Sequence, residues 1–400
     1  MVKPKLEKTK HRKHDPFLPT LTKIFTMAQW FGIPSYGNKI SHVWAVVALL
    51  MLIAIEGTAL WKLAKNLSTM DADDESITAR VAGSIFYGNG LLSLILSWFF
   101  ISSWKRISFF WSKAEVTDGA YLSQDRRIHG RVVFITWLVA LVACGEHILS
   151  MISATGFDIP PLKYFERYIL SSHGFIITNE SYTLWTAIPI FLLSLIATIL
   201  WNFQDLIIIL ISVGLTSRYR RLNLYVNRVV NFERRNKDVE KVEFEKYLRC
   251  EQWRRIREAY VRQAALVRMV DAKIGPLILL SNINNFYFIC LQLFLGINKS
   301  QGSAASVVYY LISLAWLIFR ACGVVLTAAD IQFHSKRALT YINACPAPGY
   351  NIEVKRLNNQ LTYDHVALSG MGFFWLDRQT LLQVAGNIIK YELVLIEYDK

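Results

Sequence analysis

The sequence predicts an all-α polytopic membrane protein: seven transmembrane helices, the N-terminus inside and the C-terminus outside, with cytoplasmic helical extensions of spans four to seven. Three observations predict it. Of 400 residues, 53% are hydrophobic and 18% charged, where a soluble domain lies near about 45–50% apolar and ~25% charged. The apolar residues gather in runs of about twenty, the length that crosses a ~30 Å hydrocarbon layer. The net charge of +14 is distributed loop by loop between those runs, which fits charge that orients a membrane protein and not a nucleic-acid partner.

Taken in order, residues 1–39 form a basic arm with Lys3, Lys5, Lys8, Lys10, Arg12 and Lys13. It has no apolar core before Trp30, so no cleavable leader is expected. Spans are expected at 40–61, 81–103, 132–154, 183–213, 274–296, 304–329 and 380–398. The first-to-second loop is acidic, with Asp71, Asp73, Asp74 and Glu75. The second-to-third carries Lys105, Arg106, Lys113, Arg126, Arg127 and Arg131, and 216–262 is denser still in Arg and Lys. Lys and Arg stay cytoplasmic, which places the N-terminus inside. Glycosylation sequons agree independently: Asn66, Asn179 and Asn298 all fall in loops that the charge rule puts outside. An odd number of spans then leaves the C-terminus outside.

Span four is too long for the bilayer, at about 46 Å of helix. The chain beyond it, 214–273, keeps helical apolar spacing with mixed charge. Leu248, Trp253, Ile256 and Tyr260 recur at three- to five-residue steps, as on a water-facing amphipathic helix. A second cytoplasmic helical segment is expected over 330–379, between 274–329 (spans five and six) and 380–400 (the last span). Such helices suit packing between subunits; a solvated loop is the plainer alternative.

Chemistry-bearing motifs are few. The cysteines at 144, 250, 290, 322 and 345 are scattered, without disulfide or metal spacing. The sequence shows no nucleophile motif, phosphate loop or metal-spaced histidines, so neither an enzyme nor a cofactor is expected. A transporter would call for internal repeats or matching broken spans, and none is visible.

The segment "VALSGMGFFWLDRQTLLQVAGNIIKYELVLIEYDK" resembles the C-terminal signature of the insect gustatory receptors, in particular their sugar-receptor branch. So do "GEHILS" at Gly145, "WNFQDL" at Trp201, "NNFYFICLQL" at Asn284 and "LTAADI" at Leu326. The signature ends Thr-Tyr, five mostly apolar residues, Gln-Phe. Here Tyr391 and the interval remain, while Lys390, Glu397 and Tyr398 replace the other three.

The resemblance implies a ligand-gated cation channel in the plasma membrane, a homotetramer or heterotetramer with related receptors. Spans one to four (40–213) would belong to the ligand-binding bundle, the cytoplasmic extensions would form a shared anchor, and the seventh helices would line one pore. Lys390 and Glu397 stand two turns apart on one face of that helix. Four copies of Glu397 would favour monovalent and divalent cations, and Val394 with Tyr398 could close the pore by dewetting. Alternatively Glu397 snorkels to outer water, and Lys390 pairs with a neighbouring carboxylate or points off-axis.

A sugar needs several hydrogen-bonding groups and aromatic faces around it. Candidates in the outer half are Asn89, Glu146, His147, Trp185, Asn285, Gln292, Tyr309 and Ser313. Each alone could equally be interhelical glue or an interfacial belt residue. The adjacent ionisable pair Glu146–His147 points most strongly to function, since such groups are costly inside a span. Asp205 and Asn202 are expected to join helices, and Asp330 to mark the inner interface. The ligand is a sugar or another small molecule.

Overall fold

The computed structural model describes residues 16–34, 38–69, 74–115, 125–156, 160–235, 243–298 and 304–398. The charged arm, the centre of the acidic loop and the side chains of Asn66, Asn298, Val394, Glu397 and Tyr398 lie outside the described residues. The architecture is all-helical. Its β-type pairing among the described residues is an isolated antiparallel bridge between Ser369 and Trp375.

Part of the basic arm is folded. Helix α1 (Phe17–Met27) carries Phe17, Leu21 and Phe25 at four-residue steps, and all three are buried. Phe17 stacks on Trp111 at 5.0 Å, and Phe25 meets Trp104 edge-on at 5.0 Å. Burying each ring contributes on the order of 2 kcal/mol. The Phe17 ring also lies over Gly214, where an added Cβ would come within 2.2 Å of it.

α2 (Lys39–Thr69), α3 (Asp74–Glu115) and α4 (Ile128–Thr155) follow, each enclosing one expected span. A helix beyond those expected, α5 (Pro161–His173), is short and amphipathic and lies in the connection after α4. Tandem prolines at 160 and 161 start it, since Pro is pre-organised for a first helical turn. It packs on α4 and α6.

α6 (Leu184–Arg235) and α7 (Glu243–Asn298) are continuous over 52 and 56 residues. At 1.5 Å per residue each is about 80 Å long, well beyond the thickness of a bilayer. On α7 the expected stripe is buried at Trp253, Ile256 and Tyr260; Leu248 instead stays 49% exposed. α8 (Ala304–Lys336) runs beside α6 and continues past its expected span.

After the single turn α9 (Ala338–Ile342), helix α10 (Ile352–Tyr363) docks on α7 through buried Val354, Leu357 and Leu361. Its Asn351 cap accepts the backbone N–H groups of Glu353 and Val354 at 3.0 and 3.1 Å. Arg257 Nε of α7 donates to Glu353 Oε2 at 2.7 Å, and Arg356 Nη1 donates to Oε1 at 2.6 Å. Burial raises the Glu353 pKa, but these hydrogen bonds and positive charges outweigh it and hold the carboxyl below its ordinary range.

The turn before the last helix is tightly made. Met371 and Gly372 take positive φ angles of 55° and 81°, and Asp271 of α7 accepts the Ser369 N–H at 2.6 Å. α11 (Arg378–Tyr398) then covers the expected seventh span in 21 residues. Among the described residues six helices, α2, α3, α4, α6, α7 and α8, are long and apolar enough to cross a membrane.

Candidate functional site

Two polar clusters occupy the interior of the bundle. One joins α4, α7 and α8. Ser313 Oγ of α8 donates to Glu146 Oε1 of α4 at 2.6 Å, and Gln292 Nε2 of α7 donates to the same Ser313 Oγ at 3.1 Å. One turn along α8 from Ser313, the Tyr309 phenol borders Ser150, Glu146 and Ser313. Four of the expected residues therefore converge: Glu146, Gln292, Tyr309 and Ser313.

His147 turns to an aromatic wall beside them. Its ring lies 6.4 Å from Tyr168 of α5 and 6.1 Å from Phe191 of α6. Phe165 meets Phe191 at 5.7 Å, and Tyr168 meets His173 at 5.9 Å. The Tyr87 hydroxyl of α3 is 3.3 Å from His173 Nδ1. Burial first, and then the nearby His147, push His173 down to about 4, so its ring is neutral at physiological pH.

Three polar atoms of this cluster and its aromatic wall are buried without a hydrogen-bond partner in the protein: Gln292 Oε1, His147 Nε2 and His173 Nε2. Each would cost free energy if nothing satisfied it. Hydrogen-bonding atoms of both kinds, framed by aromatic faces, fit a small polyhydroxylated molecule.

The deeper cluster is different. Arg320 of α8 lies with Nε 2.6 Å from Asp205 Oδ2 of α6, and their side chains are 3% and 0% exposed. Arg320 Nη1 also donates to Asn202 Oδ1, and Ser281 Oγ of α7 donates to Asp205 Oδ1. Asn285 Nδ2 donates to Asp205 Oδ2 at 3.2 Å, and Asn285 Oδ1 accepts from Trp201 Nε1 at 3.2 Å. The guanidinium carbon stands 4.8 Å from the Trp201 ring centre. This is the helix-joining role expected of Asp205 and Asn202, with Arg320 as the partner missed in the sequence. Asn285 belongs here and not with Glu146. Asn89 accepts from Gln204 Nε2 at 3.4 Å, next along α6 to Asp205.

The remaining sequence candidates are dispersed. Trp185 is 89% exposed at the start of α6 and stands apart from the Glu146 cluster. Asn179 is exposed in the short turn before α6, as a sequon requires. Lys390 and Tyr391 are exposed on α11, and the Tyr391 ring meets Phe286 of α7 at 6.0 Å. The sequence reading missed Tyr168 and His173, because α5 lacks a long apolar run. It also missed Arg320, although a lone Arg within "AWLIFRACG" is the signal an intramembrane ion pair leaves.

Comparison with known proteins fixes the family. A family profile described as trehalose receptor matches residues 1–400. Among curated relatives, the gustatory receptor for sugar taste 64a of Drosophila melanogaster is 32% identical over 337 residues, 81% of this chain and 70% of that protein. The fly's gustatory receptor for sugar taste 64f is 31% identical over 79% of this chain and 65% of its own length. Its gustatory receptor 5a for trehalose is 30% identical over 77% and 67%.

Among solved structures, the insect olfactory receptor OR5 from Machilis hrabei in complex with eugenol superposes with a TM-score of 0.67. That match covers 95% of this chain and 98% of the receptor; at 9% identity it establishes the shared fold alone. The chain is a multi-pass membrane protein that belongs to the trehalose receptor family, in the sugar-taste branch of the insect gustatory receptors.

Proposed function

We propose that this receptor is a sugar-gated, non-selective cation channel of the plasma membrane, assembled from four copies or with related receptors. The sugar binds in the outer chamber, where Glu146, Ser313, Gln292 and Tyr309 meet the aromatic wall of His147, Tyr168 and His173. The observation that carries this reading is the set of unpartnered buried atoms on Gln292, His147 and His173. Hydroxyl groups donate and accept, so a sugar can satisfy all three, while its C–H faces pack on the rings.

In this reading the chain crosses the membrane seven times, with its N-terminus inside and its C-terminus outside. The extended ends of α6 and α7, with α10, form the cytoplasmic anchor, and α11 lines the pore. Glu397 attracts cations there, Val394 and Tyr398 close the passage, and Lys390 points away from the permeant ion or is paired. The relatives' printed names support the sugar class: two are receptors for sugar taste and one is a receptor for trehalose.

A second reading keeps the channel and changes the ligand. The chamber wall is aromatic, and the receptor of like fold was solved with eugenol, so a less polar small molecule would also pack there.

Expressing the chain alone and recording current during application of sugars and of phenolic odorants decides between the two. Sugar-evoked, cation-selective current without added nucleotide is the expected result. Saturable sugar uptake with little conductance would instead indicate a transporter. Glu397→Lys should lower cation preference, and an unchanged reversal potential would remove Glu397 from the pore.

A further inference from the structure

Three helices meet at one carboxylate. Asp330, near the end of α8, has Oδ2 3.5 Å from Arg220 Nη2 of α6 and Oδ1 3.5 Å from Arg378 Nη2. Arg378 is the first residue of α11. One turn beyond Asp330, the Phe333 ring lies under the Arg378 guanidinium, whose carbon is 4.7 Å from the ring centre. The next residue, His334, accepts at Nε2 from Arg220 Nε at 3.0 Å. Its backbone carbonyl accepts from Asn223 Nδ2 of α6 at 2.8 Å, and Asn223 Oδ1 accepts from the Tyr260 hydroxyl of α7 at 2.6 Å. Among the described residues, the Arg378–Asp330 contact is the ion pair that α11 makes with the rest of the fold.

We propose that Asp330 and Phe333 form a coupling clamp: they hold the inner end of α11 through Arg378, so that a shift of α6 and α8 is passed to the last helix. Asp330 and Arg378 are positioning residues and lie well removed in sequence from the chamber residues. Their effect is therefore on opening, not on sugar affinity. The planar guanidinium is required because it pairs with Asp330 and stacks on Phe333 at once, which an ammonium does less well. The opposite leg of the clamp, Arg220, ties the same carboxylate to α6, the helix that also carries Phe191 of the chamber wall and Asp205 of the deep network. The contacts are partly exposed to water, with side-chain exposures of 33% for Asp330 and 62% for Arg378. They can therefore release and re-form as the helices move.

The inference rests on α11 forming the gate, and the test separates the two. Full-length wild type, Arg378→Gln, Arg378→Lys and Asp330→Asn are compared for surface amount, sugar binding and sugar-evoked current. Arg378→Gln and Asp330→Asn should bind sugar within about twofold of wild type. Their maximal current per surface receptor should fall at least about threefold, and Arg378→Lys should recover part of it. Wild-type-like currents in Arg378→Gln would overturn the clamp, as would a change confined to sugar affinity. Hydrogen exchange of the purified full chain tests the contact without any current. Faster exchange in the first turns of α11 in both variants supports the clamp; unchanged protection there refutes it, even if the wild type conducts nothing and the channel reading has itself failed.

Discussion

The two polar clusters of the bundle use the same kinds of residue to opposite ends. Around Asp205 and Arg320, charge meets charge, and Asn202, Ser281, Asn285 and Trp201 complete the shell. Around Glu146, the hydrogen bonds run from Gln292 to Ser313 to the carboxylate and then stop. Gln292 and two neighbouring histidines are left with unpartnered atoms. The first set is organised by a buried ion pair, with Gln204 Oε1 and Asn89 Nδ2 unpartnered at its edge; the second has no ion pair among the described residues and adjoins aromatic faces that suit a guest. Residue type alone does not separate the two, and the countercharge does.

The hardest way to break the contrast is to strip one charge from the deep pair. Asp205→Ala should lower stability by about 3–5 kcal/mol, because it strands the buried Arg320 guanidinium. Thermal unfolding in detergent reads this directly. The double variant Asp205→Leu with Arg320→Met should be less damaged than either single change, since it removes both charges together. A double variant worse than both singles would show that the pair carries more than helix joining.

The aromatic wall should respond to acid. His173 titrates near 4 in the fold, against about 6.5 when unfolded. Its contribution to stability is therefore complete above about pH 6.5 and is lost as pH falls toward 4. At pH 5 His173 should account for about 2 kcal/mol of the loss, read as the difference between wild type and His173→Asn when both are melted across a pH series.

The chamber itself should tolerate change where the deep pair does not. Glu146→Gln keeps an acceptor for Ser313 and should leave unfolding within about 1 kcal/mol of wild type. It should nevertheless raise the half-maximal sugar concentration about tenfold, about 1.4 kcal/mol in binding. Loss of surface receptor in Glu146→Gln would make this cluster structural too, and the contrast would fail.

The smallest effect lies on α10. Glu353→Gln should cost about 1 kcal/mol, as the Arg356 partner is mostly exposed and its pair is screened. Because the Glu353 pKa is depressed, that contribution is present above the ordinary carboxylate range and disappears only as pH falls through the lower folded value. A neutral-pH melt of the variant beside an acid titration checks both the size and the sign.

Much of this was legible in the residues. Run length gave the helices, because lipid imposes a fixed apolar span. The cost of an ionisable group in that span singled out Glu146 and His147. Ser313, Gln292 and Tyr309 were legible as polar groups at the same depth, and the fold brings them to Glu146. Asn285 and Asn89 lay at a plausible depth as well, but depth does not say which face of a helix meets which neighbour. Only tertiary pairing sends Asn285 to Asp205. Trp185 stands outside for the same reason: an aromatic at the start of a span can face outward as readily as inward. α5 was hidden because a helix lying over a bundle needs a single apolar stripe and no long apolar run.

The close seat of Phe17 against Gly214 also bears on how the chain is made. The first hydrophobic ring of α1 is synthesised long before its socket: Gly214 emerges roughly two hundred residues later, about 10 to 40 seconds at ordinary ribosome speeds. Until then α1 can rest only on Trp104 and Trp111 of α3 and on α4, with the Gly214 side of Phe17 uncovered. The last step of its docking thus reports synthesis of α6, and a nascent chain halted before Gly214 should leave the Phe17 end of α1 more open to protease than the finished chain.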